Sequence, residues 1–235
     1  RTKTTLFGVA ADIEAAVFQI DRKDFILATN GQYSTSTATA QQMYDNIGGV
    51  RNRGLELSLK TDRKQTFTFD AAYSYIRAKF TDYDNFNLTL GNPYVAAPTL
   101  VAYNNTGNDV PRVPRHQLNA TFGWQPDDRF RLALEMDARS WSWADEINQE
   151  KWNGRTLFNL SAHYDVRESG FLGAKWSLFA RVNNLFDKRY WSAARGTNDA
   201  SNYLTGAYDG VYNAEDLSIV VGKPRHWIAG VSATF

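Results

Sequence analysis

Apolar and polar residues alternate with a period of two along much of the chain. Val9, Ala11, Ile13, Ala15 and Val17 share one face of a segment whose other face carries Asp12 and Glu14. Leu55, Leu57 and Leu59 alternate with Glu56, Ser58 and Lys60. The same alternation runs through residues 67–75, 118–124, 130–138, 158–164 and 176–182. It returns in the closing stretch Trp227-Ile-Ala-Gly-Val-Ser-Ala-Thr-Phe235. There Trp227, Ala229, Val231, Ala233 and Phe235 share a face and only Ile228 breaks the pattern. Alternation sustained in this way predicts about eight strands, each with one apolar and one polar face. Residues 2–7 read as the end of one strand more. A stretch of about nine residues with an aromatic at each end is what a tilted strand needs to cross a bilayer.

The connections between these segments alternate in length. Short ones fall at 62–65, 126–128 and 168–170; long ones fall at about 29–45, 82–114 and 192–223, with a shorter one near 146–154. Short turns at one end and long loops at the other match the periplasmic and extracellular sides of an outer-membrane barrel. Cost decides which face meets lipid. Arg129, Arg131, Glu135, Asp137 and Arg139 lie on one face of one segment. A Lys or Arg facing lipid at the midplane costs about 2–4 kcal/mol, so that face is expected to line a polar lumen. Trp124 and Trp176, beside short turns, are expected in the periplasmic aromatic girdle. Lipid leaves no water for unpaired edges, so the strands must close into a barrel or belong to a larger one. Residues 66–81 and 129–144 read as strands longer than lipid requires. With long loops, that fits a wide barrel better than an eight-stranded one whose side chains fill the interior.

Composition changes this picture in a few places. The 235 residues suffice for one large domain. A mean hydropathy of -0.47 reads as soluble, but a barrel hides its apolar surface in every second residue. No run approaches the 18 or so apolar residues of a spanning helix. The net charge of +1 gives no support for a nucleic-acid partner. Without Cys there is neither a disulfide framework nor a thiolate metal site. The start, Arg1-Thr-Lys-Thr, has no Met, basic n-region or apolar h-region, and reads as a chain beginning partway through a longer protein.

Four stretches carry a family likeness. These are Asn46-Ile-Gly-Gly-Val-Arg-Asn-Arg-Gly-Leu-Glu-Leu-Ser-Leu59, Val113-Pro-Arg-His-Gln-Leu-Asn119, Val182-Asn-Asn-Leu-Phe-Asp-Lys-Arg-Tyr190, and Gly222-Lys-Pro-Arg225 before the Phe-terminated strand. Together they resemble the barrel of TonB-dependent outer-membrane receptors, and the last two, in order, are the most specific. Tyr190-Trp-Ser-Ala-Ala-Arg-Gly196 looks most like the ferric-siderophore branch. The resemblance implies an all-β, transmembrane antiparallel β-barrel. Residues 1–235 would form its C-terminal portion, about the last eight strands of a 22-stranded barrel plugged by an N-terminal domain. Neither the plug nor the earlier strands are in this sequence. The resemblance further implies import of a ferric siderophore across the cell outer membrane of a Gram-negative bacterium, driven by TonB through the plug. The siderophore is transported ligand, and no covalently bound cofactor is expected. Other implied partners are outer-membrane lipid and lipopolysaccharide, and the barrel-assembly machinery, for which Trp227, Val231 and Phe235 resemble the terminal signal. Cobalamin and haem stay open as ligands.

Candidate binding residues cluster near the long loops. Counted from Arg129, Arg139, Trp141 and Trp143 fall on the lumenal face near the extracellular end. Aromatics beside Arg suit an anionic, partly aromatic iron chelate. A β-bulge at the rim would instead turn both Trp residues into the outer girdle. Tyr190, Trp191, Arg195, Tyr203, Tyr208 and Tyr212 are either ligand contacts or aromatic packing of their own loop. Enzyme readings are weak. Ser161 and His163 share a face, but the sequence offers no acid partner or oxyanion site. Asp82-Tyr-Asp-Asn-Phe-Asn87 begins like a calcium loop and lacks its Gly and its closing Glu. Two alternatives accompany the importer: a self-contained small barrel with a structural or adhesive role, and an outer-membrane hydrolase using Ser161 and His163.

Overall fold

One unit repeats four times along the chain: two long strands, then a short hairpin. The computed structural model describes residues 2–6, 9–24, 26–31, 41–46, 48–84, 86–90, 99–166, 173–196 and 217–235. Strands β1 (Thr2–Leu6) and β2 (Val9–Lys23) precede the hairpin of β3 (Ile26–Gly31) and β4 (Gln41–Asn46). Strands β5 (Gly49–Thr61) and β6 (Phe67–Asp82) precede β7 (Phe86–Leu90) and β8 (Thr99–Tyr103). Then come β9 (His116–Trp124) and β10 (Phe130–Arg139), with β11 (Ser142–Trp143) and β12 (Lys151–Trp152). Last come β13 (Arg155–Val166) and β14 (Lys175–Asn183), with β15 (Trp191–Gly196) and β16 (Leu217–Val221), before the closing β17 (His226–Thr234).

The long strands form a single antiparallel sheet in the order β1-β2-β5-β6-β9-β10-β13-β14-β17. Of residues 2–7, which their pattern marked as a strand end, Thr2–Leu6 form the ninth strand and Phe7 lies outside the described residues. The turns 62–66 and 125–129 join strands at one end; all four hairpins lie at the other. Two expectations need correction. The stretches at 29–45, 82–114 and 192–223 are not simple loops, because each carries strands of a hairpin. The segment 129–144 is not one strand. Its ladder stops at Arg139, and Ser142–Trp143 pair instead with Lys151–Trp152.

Register fixes which residues share a face. One row runs Ala15, Leu57, Tyr73, Leu118 and Ala138 across five strands. The adjacent row, on the other face, runs Glu14, Ser58, Ala72, Asn119 and Asp137. The first face leaves Ile13, Val17, Leu57, Phe69, Phe122, Leu134, Leu178 and Val231 exposed. So large an uncovered apolar patch is foreign to a water-soluble surface and suits lipid. Near the short turns this face is aromatic: Phe67 stacks on Phe122 at 5.9 Å and Trp124 meets Phe130 edge-on at 5.7 Å.

The polar face holds paired charges. Arg181 reaches past β13 to grip both carboxylate oxygens of Glu135, one at 2.8 Å. Arg131 lies 3.4 Å from Asp165, and Arg155 lies 3.5 Å from Asp137. Phe179 also lies on this face. It packs across Gly230, where an added Cβ would sit 2.5 Å from its ring.

The Asn-Asn-Leu-Phe-Asp stretch after β14 has a mechanical role. Asn184 is buried, with φ of 51°. Its side chain accepts from the Lys188 N–H at 2.8 Å and donates to the carbonyls of Lys188 and Lys223. Asp187 accepts the Arg225 N–H at 2.8 Å. These bonds tie the end of β14 to the Gly222-Lys-Pro-Arg225 lead-in to β17, so the two family-like motifs are one joint.

The face assignment predicts an asymmetric result from neighbouring substitutions. Leu57→Arg puts a cation mid-band on the lipid face and is expected to cost about 2–4 kcal/mol of barrel stability. Ser58→Arg points into the lumen opposite Glu14 and is expected to stay within about 0.5 kcal/mol. Urea titration of heat-modifiable migration on gels reads both; equal losses would contradict the faces.

Candidate functional site

The hairpin end of β10 and β13 gathers cations against aromatic rings. Arg139, the last residue of β10, pairs in register with Arg155, the first of β13. Both belong to the polar row of Glu135 and Asp137. Two cations side by side repel unless something offsets them. Here rings and acceptors do. The Arg139 guanidinium lies 3.9 Å from the Trp152 ring centre and donates to the Trp191 carbonyl at 3.3 Å. The Arg155 guanidinium lies 4.8 Å from the Tyr190 ring and close to Asp137. The Trp152 indole N–H donates to the same Trp191 carbonyl at 3.1 Å. Guanidinium over an aromatic face is a favourable electrostatic contact, stronger where water is excluded.

Beside this cluster opens a cleft of about 840 Å³. It is lined by Asn153 and Gly154, by Asp187, Lys188, Arg189, Tyr190 and Trp191, and by Val221, Gly222 and Pro224. The Tyr190 ring lies so close on Gly222 that a Cβ there would sit 2.2 Å from it. The cleft therefore joins two cations, aromatic faces and an amide with one carboxylate, Asp187, which already accepts the Arg225 N–H; the set suits an anionic ligand with flat apolar parts.

The loop 144–150 positions part of this rim. Ala144, Trp152 and Ala194 form a small buried cluster with Trp191 against it. Asp145 is buried, and its carboxylate accepts the N–H groups of Gln149 at 3.2 Å and Glu150 at 2.6 Å. Burial pushes its carboxyl above the ordinary range, against the downward pull of those N–H groups.

The structure brings together only part of the expected set. Arg139, Tyr190 and Trp191 meet in one place. Trp141 and Trp143 lie past the break in β10. They pack edge-on at 5.2 Å, and the Lys151 ammonium sits 4.7 Å and 5.4 Å from their rings. The backbone of Arg195 pairs with Ser218, but its side chain, like Tyr203, Tyr208 and Tyr212, lies outside the described residues. Trp227, Val231 and Phe235 stand apart, exposed on the apolar face of the closing strand and its end. His163 bonds Asp165 at 2.9 Å on the polar face, an acid partner the sequence did not suggest. That Asp also takes Arg131, which makes it part of the lumenal charge network. Among the described residues no group of His, Asp or Glu is arranged to hold a metal ion.

Trp152, Arg155, Lys151, Lys188 and Arg189 escaped the sequence reading. Arg155 was within reach, since it shares parity with Asn159 and Ser161. Trp152 was not, because its place depends on a two-residue strand with no periodicity of its own.

The family described as TonB dependent receptor-like, beta-barrel, matches residues 3–185. The ferrienterobactin receptor of Escherichia coli K12 is 31% identical over 127 residues, covering 46% of this chain and 16% of that protein. The siderophore receptor PiuA of Acinetobacter baumannii superposes with a TM-score of 0.66 at 16% identity, over 94% of this chain and 26% of its own. The ferric yersiniabactin uptake receptor FyuA of Yersinia pestis gives 0.63 at 18% identity, over 99% and 29%. The chain thus spans less than a third of the length of each.

Asp145 supplies a pH test of the rim. A carboxyl whose folded pKa lies above its unfolded value binds more protons when folded. Loop stability should therefore fall as pH rises from the ordinary Asp value to the raised one, and be flat outside that window. Proteolysis within 144–150 should speed up across that window, and Asp145→Asn should remove the dependence. A cleavage rate that falls with pH would refute it.

Proposed function

The chain belongs to the TonB-dependent receptor β-barrel family, and from that premise we propose that it is the C-terminal barrel portion of an outer-membrane receptor that takes up a ferric siderophore. Members of this family are transport receptors rather than enzymes, and the named relatives support siderophores as the ligand class. The carrying observation is the rim where Arg139 and Arg155 lie over Trp152 and Tyr190 beside the open cleft.

In this reading the work is binding and gating, with no bond made or broken. An anionic ferric chelate approaches the hairpin end, which faces outward. Arg139, Arg155, Lys188 and Arg189 draw its charge, and Tyr190 and Trp191 cover its flat parts. Arg139 is already held by the Trp152 ring and the Trp191 carbonyl, and Arg155 by the Tyr190 ring and Asp137, so these two need little ordering on binding. The paired charges of the lumenal face keep a hydrated wall below the rim, along which a released ligand passes. TonB supplies the energy by acting on a plug inside the barrel. The exposed outer edge of β17, with Trp227, Val231 and Phe235, presents the strand read by the assembly machinery.

A radioactive-iron uptake panel tests the ligand class. An iron-starved deletion strain is complemented with the full receptor and offered hydroxamate, catecholate and citrate chelates. At least one should depend on the protein; dependence of none would sink the siderophore reading. Arg139→Ala with Arg155→Ala should weaken binding of that chelate about 10–100-fold, as loss of charge-assisted hydrogen bonds does, with heat-modifiable folding retained. Phe235→Ala should lower the folded fraction in the outer membrane several-fold; wild-type accumulation would remove the assembly role.

A further inference from the structure

The loop between β11 and β12 has its base in one apolar cluster and its tip in another. Residues 144–150 form this loop, and the Ala144 N–H donates to the Glu150 carbonyl at 2.8 Å where it closes. At the base, Ala144 and Trp152 are buried with Ala194 beside Trp191. At the tip, Ile147 packs against Val50, Phe80, Tyr83 and Phe86, which belong to β5, β6 and the hairpin after them. The loop thus reaches from the cation rim to a different part of the sheet.

Asn148 fastens the tip. Its φ of 60° is left-handed, a conformation Asn adopts more readily than most residues. The turn aims its amide at residues 107–110, which run beside β6. There the Phe80 N–H donates to the Asn108 carbonyl at 3.0 Å, and the Val110 N–H to the Ala78 carbonyl at 3.0 Å. The main-chain groups of Asp109, between these two, turn away from β6 by the ordinary alternation of a strand. Asn148 takes both. Its oxygen accepts the Asp109 N–H at 2.7 Å, and its nitrogen donates to the Asp109 carbonyl at 2.9 Å. One side-chain amide, with a donor and an acceptor, stands here for a peptide group. An aspartate would have no donor for that carbonyl; a glycine would keep the φ and lose both bonds.

We propose that Asn148 is a positioning residue for ligand binding, which fixes the Arg139 guanidinium at the rim by way of Trp152. Asn148 does not line the cleft. It holds the loop on Asp109, and the loop seats Ala144 and Trp152. The Trp152 ring lies 3.9 Å from the Arg139 guanidinium, and both side chains donate to the Trp191 carbonyl. Released at its tip, the loop pivots about its base, and Arg139 loses the ring that holds it. Coupling of this kind is reciprocal: a ligand that settles on Arg139 strengthens the Asn148–Asp109 bonds by the factor they lend to its binding. That the rim binds a chelate rests on the uptake reading; that Asn148 holds the rim does not.

The test uses the full-length receptor in detergent, with hydrogen exchange read by mass spectrometry. Asn148→Gly keeps the left-handed backbone and removes both bonds. Exchange should rise about 5–30-fold at residues 107–110 and, through the loop, at 190–194. Asn104→Ala removes the acceptor of the Thr106 N–H on the same connecting segment without touching the loop, and should leave 190–194 at the intact rate. An unchanged rate at 190–194 in Asn148→Gly, or an equal rise there in both variants, would overturn the positioning role. A ferric tris-catecholate chelate, titrated by quenching of Trp fluorescence, serves as probe in a second arm. Asn148→Gly should weaken its binding about 5–30-fold when Arg139 is present, and by about twofold or less in the Arg139→Ala background. Equal losses in the two backgrounds would show that Asn148 does not act through Arg139 and overturn the proposal. With no variant at all, the chelate should slow exchange at 107–110 of the intact receptor; no slowing by a bound chelate would overturn it as well. Absence of chelate binding by the intact receptor would count against the uptake reading, and the ligand-free exchange at 190–194 would then decide alone whether Asn148 holds the rim.

Discussion

Hydrocarbon offers no hydrogen-bond partner to a peptide group, and the other features of this sheet follow from that. Each N–H and C=O in the band must find a partner on the neighbouring strand. A meander of long antiparallel strands does this with the least connecting chain, since each strand pairs with the long strand that follows. Pleating then sends side chains alternately to lipid and to the interior. The apolar and polar rows are thus consequences of backbone pairing. Among the described residues the free edges are β1 and β17. In lipid both need partners, which is why the sheet makes physical sense as part of a larger closed barrel.

The interior face answers a second demand of the same solvent. Charges there are only partly in water, so an unpaired one is expensive. Glu135 and Arg181 meet bidentately from two strands that are not neighbours, and Asn159 and Asn183 fill the gap on β13 and β14. Such a pair contributes little net stability by itself, because desolvation offsets much of the attraction. What it does fix is register. A slip of one residue would send Arg181 into lipid, where it has no partner. The ion pairs on this face therefore select one pairing among several that the backbone alone would accept.

Periodicity made the sheet legible, because a half-buried strand must alternate and no other element does. Leu55, Leu57 and Leu59 could be placed on the lipid face with no structure at hand. The sorting of short turns to one end and longer connections to the other was legible from segment lengths alone. The hairpins were not legible. Strands of two to six residues outside lipid, such as Lys151–Trp152, carry no obligatory alternation. The end of β10 was misplaced because Trp141 and Trp143 keep the parity of Arg139 while their backbone has already turned to a new partner. Parity is informative only while a ladder persists. Asn184 shows the opposite case. Its motif was visible, but its work, bonding Lys188 and Lys223 at once, depends on chain far away in sequence.

Above the band the alternation persists with its sense reversed. Outward positions become Asp21, Arg51, Arg53, Arg77 and Lys79, and inward ones become Phe18, Ile20, Val50, Ala78 and Phe80. Val50 and Phe80 are buried, and they join Tyr83 and Phe86 in a core that Tyr103, Val110 and Ile147 complete. The reversal tracks the solvent. Where lipid surrounds the sheet the apolar side faces out. Where water does, the same strands fold loop segments over their inner face as a soluble protein would. Residues 107–110 run beside β6, held by backbone bonds to Ala78 and Phe80. The rim that carries Arg139, Trp152 and Tyr190 stands on a separate small cluster, in which Ala144, Trp152 and Ala194 are buried and Trp191 packs against them. The two senses exchange between Leu55 and Arg53 on β5 and between Val17 and Gln19 on β2.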